Sequence, residues 1–269
     1  MTTSVNRLTD GRGVRDTGVA GLRAAVGEDG VGVLLVARPA RRNAITLEMW
    51  GALPGLLAEL GADPRVRVLL VSGAGDTFSA GADVAELHEA YADPAGADGY
   101  HAANVAAEQA LAGFPRPTIA VVRGACVGGG CQLAVACDLR LADPGAVFGL
   151  TPARFGIVYP AVPTARLTRL VGPARAKFLL YSADLVPAAR AAELGLVEEV
   201  VPAGGLEVRA LELARTIAGH SPLTIAAAAA AVDAAAAGAD VDAAIAPWER
   251  ESRRAPDVAR RLAAFLRRA

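Results

Sequence analysis

Two short segments rich in small residues have the composition needed to receive a developing negative charge. The first is FSAGADVAEL at residues 78–87, and the second is GACVGGGCQLAVACD at residues 124–138. Each follows an apolar run typical of a strand and leads into a helical pattern. At such a turn the first N–H groups of the helix lack partners and the helix dipole adds positive charge, so an oxyanion can bind without a charged side chain. Small residues also let a ligand approach the backbone closely.

The elements before the first segment form a predicted β-α-β unit. LRAAV and VGVLLVA flank the turn signal GEDG at residues 27–30 and predict a β-hairpin. A helical pattern then runs from Thr46, the predicted N-cap, to about Leu60. VRVLLVSG at residues 66–73 follows as a short buried strand, which places the first segment after a strand end.

A second unit contains the other segment. RPTIAVVRG at residues 116–124 predicts its strand, CVGGGCQLAVACD continues into a buried helix, and LRLAD and AVFG predict further strands. This alternation predicts an α/β fold with parallel strands whose ends carry the site. Residues 93–99, rich in Ala, Asp and Gly, are predicted to form a mobile loop between the two units.

The chain is predicted to have three parts. Residues 1–18 are polar and predict a flexible tail, residues 19–200 form the α/β core, and residues 201–269 form a helical C-terminal region. Strand signals fade beyond Pro160, apart from a short strand at LVEEVV. The Ala-rich stretch 225–237 favours a helix, which either packs closely on another helix or subunit or lies on the surface.

Composition argues against some kinds of partner. The chain has 269 residues, 53% of them hydrophobic, and a formal net charge of -1. The interspersed charges give no basic field for nucleic acid, and no apolar run is long enough to span a membrane. The N-terminal residues lack the apolar stretch of a signal peptide, so a cytoplasmic location and a small-molecule partner are expected. Cys126, Cys131 and Cys137 have no histidine at metal-ligand spacing and are expected to be buried and reduced.

Four motifs occur in a fixed order along the chain. They are RPxxxNA from Arg38, FSAGADxxEL from Phe78, GGGC from Gly128 and FGxxPxxxG from Phe148. Together they resemble the crotonase superfamily of enoyl-CoA hydratases and isomerases over about residues 20–266. The resemblance implies a crotonase-type spiral of β-β-α units and a homotrimer or hexamer formed through the helical C-terminal region. It also implies coenzyme A as part of the substrate, with no separate cofactor and no metal.

The resemblance also assigns roles to individual residues. Ala82 and Gly129 would donate their N–H groups to a thioester oxygen, with roughly 3 to 4 kcal/mol of stabilisation from each donor. The charge stabilised is that of an enolate, the intermediate that the reactions of the superfamily share. The residues expected beside coenzyme A are Ala44, Ala80, Asp83 and Val84.

Both glutamates that hydratases of this superfamily use are replaced. Gln132 follows GGGC at the first position, and Pro152 occupies the second. An amide can hydrogen-bond a water but is not a general base near neutral pH, and proline has no functional side-chain group. The chain is therefore interpreted as an atypical member in which ordinary hydration is not expected.

The segment TPARFGIVYP at residues 151–160 resembles the TPxxxGxxY segment of the methylmalonyl-CoA decarboxylase branch of the superfamily. Tyr159 falls on the site tyrosine of that branch, where it could hydrogen-bond a departing carboxylate or deliver a proton. Arg154 could pair with the same carboxylate. Decarboxylation needs an enolate-stabilising site but no base to start it. Ala82 stands where that branch has a histidine, so the match is partial.

Three functions remain open at this point. The first is an acyl-CoA lyase or isomerase, with decarboxylation or another non-standard reaction, and the second is a catalytically silent acyl-CoA-binding protein. The third is a hydrolase, because related folds include serine proteases. However, the two segments rich in small residues contain no Ser-His pair. Glu86 or Glu89 could serve an isomerase-like proton transfer, whereas His88 and His101 are expected at the surface.

Overall fold

The computed structural model describes residues 14–15 and 17–267, in which strands and helices alternate. The strands are β1 (Val14–Arg15), β2 (Leu22–Val26), β3 (Val31–Val36), β4 (Val68–Gly73), β5 (Thr118–Val122), β6 (Ala125–Val127), β7 (Leu139–Ala142), β8 (Val147–Gly149), β9 (Val186–Pro187) and β10 (Glu199–Val200). The α-helices are α1 (Leu47–Ala62), α2 (Val84–Ala90), α3 (Pro94–Ala112), α4 (Gly129–Ala136), α5 (Ala161–Val171), α6 (Pro173–Ser182), α7 (Ala188–Glu193), α8 (Leu206–Gly219), α9 (Pro222–Ala237), α10 (Val241–Ser252) and α11 (Pro256–Leu266). Short 3-10 helices span Pro39–Arg41 and Pro152–Phe155.

Two sheets organise these strands. The larger sheet has the order β1-β2-β3-β4-β5-β7-β10, and the smaller has the order β6-β8-β9. Strands β1, β2 and β3 pair antiparallel, which confirms the predicted hairpin. From β3 onward the larger sheet is parallel, and β6 also pairs in parallel with β8. The predicted α/β class with parallel strands is therefore confirmed.

Burial explains why these segments fold as they do. All residues of β3 and β4 are buried, as expected for strands of a parallel sheet that is covered on both faces. Helix α1 begins after Thr46, whose side chain accepts a hydrogen bond from the N–H of Met49, which confirms the predicted N-cap. The buried face of α1 includes Trp50, which underlies the site described below.

Two predictions about the chain around this core are corrected. Residues 93–99 do not form a loop, because α3 begins at Pro94 with Asp93 as its N-cap. The Asp93 carboxylate accepts hydrogen bonds from the N–H groups of Ala95 and Gly96, which offsets the weak helix propensity of this first turn. Within the predicted tail of residues 1–18, Val14–Arg15 belong to β1, whereas residues 1–13 and 16 lie outside the described residues.

The chain divides into two compact units, with the boundary between Arg215 and Thr216 rather than at the predicted residue 200. The first unit extends further because α8 buries Leu206, Ala210, Leu211 and Ala214. The second unit contains α9, α10 and α11, and α9 packs against α10. Helix α9 includes the Ala-rich stretch, whose role in a trimer stays a prediction. Across the residues that the structure describes, no helix is long and apolar enough to cross a membrane.

Candidate active site

The two segments rich in small residues lie against each other. A Cβ atom placed on Gly129 would lie 3.6 Å from the backbone nitrogen of Ala82. A Cβ atom on Gly81 would lie 2.7 Å from the carbonyl oxygen of Val127 and 3.1 Å from the nitrogen of Gly129. Gly81 also has a φ of 98°, a conformation that L side chains rarely adopt. Glycine at this position therefore permits the close approach of the two turns.

Each turn leaves at least one backbone donor free. The N–H groups of Gly81 and Asp83 donate to the Ser79 hydroxyl and the Ile45 carbonyl, at 3.1 and 2.9 Å. In the second turn, the N–H of Gly128 donates to the carbonyl of Gly149 at 2.8 Å. In the described part of the chain, no acceptor bonds the N–H of Ala82 or that of Gly129. The two residues predicted to form an oxyanion site are thus neighbours with unpaired donors.

A buried asparagine fixes the shape of the first turn. Asn43 is fully buried, and its side chain accepts a hydrogen bond from the N–H of Arg38 at 2.9 Å. Its amide nitrogen donates to the carbonyl oxygens of Ala74 and Thr77, at 2.9 and 2.5 Å. The Ser79 hydroxyl then donates to the Asn43 carbonyl at 2.7 Å. The asparagine of the RPxxxNA motif therefore supports the turn and lies outside the lining of the cavity described next.

The two residues with these free donors, Ala82 and Gly129, both line a cavity of about 290 Å³. One wall comes from the two turns, and a second comes from α2 and α3 through residues that include Leu87, Tyr100 and Asn104. Residues 151–152, 154–155 and 157–160 close a third side. Among the predicted site residues, those that line the cavity are Ala80, Ala82, Val84, Gly129, Gln132, Arg154 and Tyr159.

Gln132 and Pro152 both line this cavity, at the two positions predicted to lack a carboxylate. Gln132 lies on α4 with only 3% of its surface exposed. Its Nε2 donates a hydrogen bond to Oδ1 of Asn104 on α3 at 2.8 Å. The carboxamide is therefore held by a neighbouring amide, and neither group can take up a proton near neutral pH.

The hydroxyl of Tyr159 is buried in the cavity wall without a hydrogen-bond partner among the described residues. Burial raises its pKa well above the ordinary value, and the neighbouring Cys131 and Glu108 act in the same direction. The hydroxyl consequently keeps its proton and remains a hydrogen-bond donor across the physiological pH range.

Ala44 and Asp83 lie beside the cavity, outside its lining. Nη1 of Arg38 donates to the carbonyl oxygen of Ala44 at 2.7 Å and to the carboxylate of Asp83 at 3.0 Å. This hydrogen bond from Arg38 lowers the pKa of Asp83. Two of the four residues predicted beside coenzyme A therefore interact with Arg38, and the other two face the cavity.

Sequence reasoning missed a buried ion pair near Tyr159. Glu108 on α3 is fully buried, and its Oε1 accepts a hydrogen bond from Nε of Arg166 on α5 at 2.7 Å. Its helical spacing from Asn104, four residues earlier, is the one signal that could have placed it on the inward face of α3. The acidic residues considered instead lie elsewhere: Glu86 accepts a hydrogen bond from the N–H of Leu47 at 2.6 Å, and Glu89 is exposed.

The two histidines on α2 and α3 have the surface exposure that the sequence predicted. His88 and His101 are both exposed, as predicted. His101 also contributes to the lining of the cavity, at its α3 side. The three cysteines, Cys126, Cys131 and Cys137, are buried and form no disulfide, which confirms the expected burial; their reduced state stays a prediction.

The fold is α/β, and its two strand-to-helix turns place the unpaired N–H groups of Ala82 and Gly129 beside one cavity. Comparison with known proteins agrees, because the sequence model of the enoyl-CoA hydratase/isomerase family matches residues 27–250. The chain therefore belongs to the enoyl-CoA hydratase/isomerase family, as its motifs predicted, and it has the crotonase fold.

Individual relatives support this assignment. A crotonyl-CoA hydratase from Syntrophomonas wolfei is 35% identical over 207 residues, which cover 77% of this chain and 79% of that protein. A short-chain-enoyl-CoA hydratase from Clostridium acetobutylicum is 33% identical over 199 residues, or 74% of this chain and 76% of that protein. The crystal structure of an enoyl-CoA hydratase/isomerase family protein from Hyphomonas neptunium matches with a TM-score of 0.88 and 33% identity, covering 94% of this chain and 97% of that one.

Proposed function

We propose that this chain is an acyl-CoA enzyme that holds a thioester carbonyl oxygen between the N–H groups of Ala82 and Gly129. Both donors are unpaired, adjacent and open to the same cavity, which are the features that an oxyanion hole requires. Each such donor contributes roughly 3 to 4 kcal/mol to the stability of a developing oxyanion. The intermediate is the thioester enolate, and coenzyme A is part of the substrate.

Decarboxylation of a malonyl-type thioester is the reaction that this site supports best. The bond between the α-carbon and the carboxylate breaks, CO2 leaves, and the electron pair of that bond enters the enolate. A proton then adds to the α-carbon, and one proton is taken up from solvent in each turnover. No general base is needed to start this reaction, which agrees with the amide of Gln132 and with Pro152 in the cavity wall.

The observation that carries the proposal is the Tyr159 hydroxyl, which is buried in the wall of the same cavity without a partner. As a protonated phenol it can donate a hydrogen bond to the substrate carboxylate and then its proton to the α-carbon. The carbanionic carbon of an enolate is more basic than a phenolate, so this proton transfer is favourable. Arg154 is exposed at the cavity and can pair with the carboxylate as the substrate enters.

The test is an assay of the purified protein with methylmalonyl-CoA and crotonyl-CoA side by side, read by mass spectrometry. We expect loss of CO2 from methylmalonyl-CoA and no hydration of crotonyl-CoA. The Tyr159→Phe variant should lose at least tenfold in turnover, because a general acid contributes about 10²–10⁴-fold. Tyr181→Phe is the matched control, because Tyr181 is 75% exposed on α6 and should leave turnover unchanged.

Each result decides between the functions left open by the sequence. Rapid hydration of crotonyl-CoA would contradict the proposal, because it would show that Gln132 and Pro152 do not prevent hydration. Binding of both thioesters without turnover would identify a silent acyl-CoA-binding protein instead. Loss of CO2 at equal rates in the wild-type protein and in Tyr159→Phe would leave the oxyanion hole in place but remove Tyr159 from the mechanism.

A further inference from the structure

The wall behind Tyr159 contains a second buried group with an unpaired polar atom. Of the buried side-chain nitrogen and oxygen atoms in the described residues, those without a hydrogen-bond partner are Oε2 of Glu108 and the hydroxyl oxygen of Tyr159. Glu108 is fully buried, so its carboxylate is as enclosed as that hydroxyl. Burying an unpaired polar atom is unfavourable, and its persistence at a site calls for a functional explanation.

Glu108 is not isolated, because Arg166 binds its other oxygen. Nε of Arg166 donates to Oε1 of Glu108 at 2.7 Å, and 28% of the Arg166 side chain is exposed. The pair thus joins the buried wall of the cavity to the protein surface. The arginine compensates part of the carboxylate charge, which an apolar interior would otherwise not tolerate.

Burial has the largest effect on the Tyr159 hydroxyl. Among the described residues, the side chains that also act on it include the thiol of Cys131, the carboxylate of Glu108, the guanidinium of Arg166 and the thiol of Cys126. Burial raises the pKa of the Cys126 thiol well above its ordinary value, so that thiol stays neutral. Arg154 and His101 line the same cavity but are exposed to solvent, which screens their charges. The ion pair is therefore the main charged neighbour of Tyr159.

We propose that the Glu108–Arg166 pair adjusts how firmly Tyr159 holds its proton: the carboxylate adds to the effect of burial in favouring the protonated hydroxyl, and the arginine makes the buried carboxylate tolerable. Glu108 is in this account a positioning residue that acts through Tyr159 and does not touch the substrate. The inference rests on the proposed function, in which Tyr159 gives its proton to the α-carbon. A tyrosinate beside Glu108 is disfavoured by like charge, so Tyr159 regains a proton from solvent before the next turnover.

The experiment measures the ionisation of Tyr159 directly and needs no turnover. The protein is labelled with tyrosine carrying carbon-13 at the ζ position, and the Tyr159 signal is identified by its loss in Tyr159→Phe. Across a pH titration, Glu108→Gln should lower the midpoint of Tyr159 ionisation by about one pH unit or more, the size expected for removal of a nearby charge. This variant keeps an oxygen that can accept the hydrogen bond from Arg166.

Two further variants complete the design. Glu108→Ala should lower the midpoint as well, and it provides the test if the Gln variant does not fold, because the released Arg166 is partly exposed. Glu198→Gln is the matched control: Glu198 pairs with the buried Arg140 elsewhere in the fold, and its loss should not move the Tyr159 signal. Circular dichroism at each pH confirms that the fold is intact.

An unchanged Tyr159 midpoint in folded Glu108→Gln or Glu108→Ala protein would overturn the inference. A midpoint that moves to higher pH would overturn it as well, because it would mean that Glu108 had favoured the tyrosinate. If the wild-type protein releases no CO2 from methylmalonyl-CoA, the proposed function fails, but the titration still decides whether Glu108 controls Tyr159. If CO2 is released, the alkaline limb of the rate profile should move to lower pH in Glu108→Gln.

Discussion

Substitution of Gly81 by alanine tests the close approach of the two turns. The added Cβ would lie 2.7 Å from the carbonyl oxygen of Val127, whereas ordinary contacts begin near 3.4 Å, so the turns must separate by about 0.7 Å. The residue would also have to keep a φ of 98°, which costs roughly 1–3 kcal/mol for a residue with a side chain. Since a 1 Å misplacement can cost about 10²-fold in rate, we expect a loss of tenfold to a hundredfold.

The assay for this variant uses acetoacetyl-CoA, whose enolate absorbs in the near ultraviolet. An intact pair of donors should raise the enolate fraction on binding, and Gly81→Ala should reduce that signal together with turnover. Gly55→Ala is the control, because Gly55 lies on α1 with nothing within 4 Å of an added Cβ, and alanine favours a helix. If Gly81→Ala forms the enolate as well as the wild-type protein, the close approach of the two turns does not position the two donors.

Three further predictions concern the residues around the cavity. Gln132→Glu removes the donor to Oδ1 of Asn104 and should lower the free energy of unfolding in urea by about 1–3 kcal/mol, without producing hydration of crotonyl-CoA. Asn43→Ala leaves three backbone groups without their partner and should lower the free energy of unfolding by about 3 kcal/mol, measured in the same way. The hydrogen bond from Arg38 holds the pKa of Asp83 below its ordinary value of 3.8. The ionised carboxylate therefore stabilises the folded state fully above pH 3.8. This stabilisation is lost as the pH falls through the lower pKa that Asp83 has in the folded protein. Asp83→Asn should therefore lower stability at pH 7 and flatten its decline between about pH 5 and pH 2; an equally steep decline would contradict this assignment.

Local patterns predicted the elements that position the site. The hairpin, the N-cap at Thr46 and the strand at residues 66–73 depend on turn chemistry, a capping oxygen and continuous apolar residues, all of which are readable in short windows. The two turns rich in small residues were predicted for the same reason. Their contact across Gly81 and Gly129 follows once the strands that carry them lie in neighbouring sheets.

The remaining features depend on contacts between distant parts of the chain. The composition of residues 93–99 resembles a loop, but two hydrogen bonds to Asp93 turn it into the start of α3. Glu108 has a charged side chain, which predicts exposure, and its partner Arg166 lies 58 residues away. A carboxylate is buried only where tertiary packing supplies its counter-charge, and a single sequence does not show that pairing.

The most direct test of the account is a crystal structure of the protein with a non-hydrolysable analogue of a short acyl-CoA thioester. We predict that the analogue's carbonyl oxygen lies about 2.7–3.1 Å from the backbone nitrogens of both Ala82 and Gly129, with the acyl group beside Tyr159. A carbonyl oxygen bound elsewhere in the cavity, with either N–H left unpaired, would contradict the central claim.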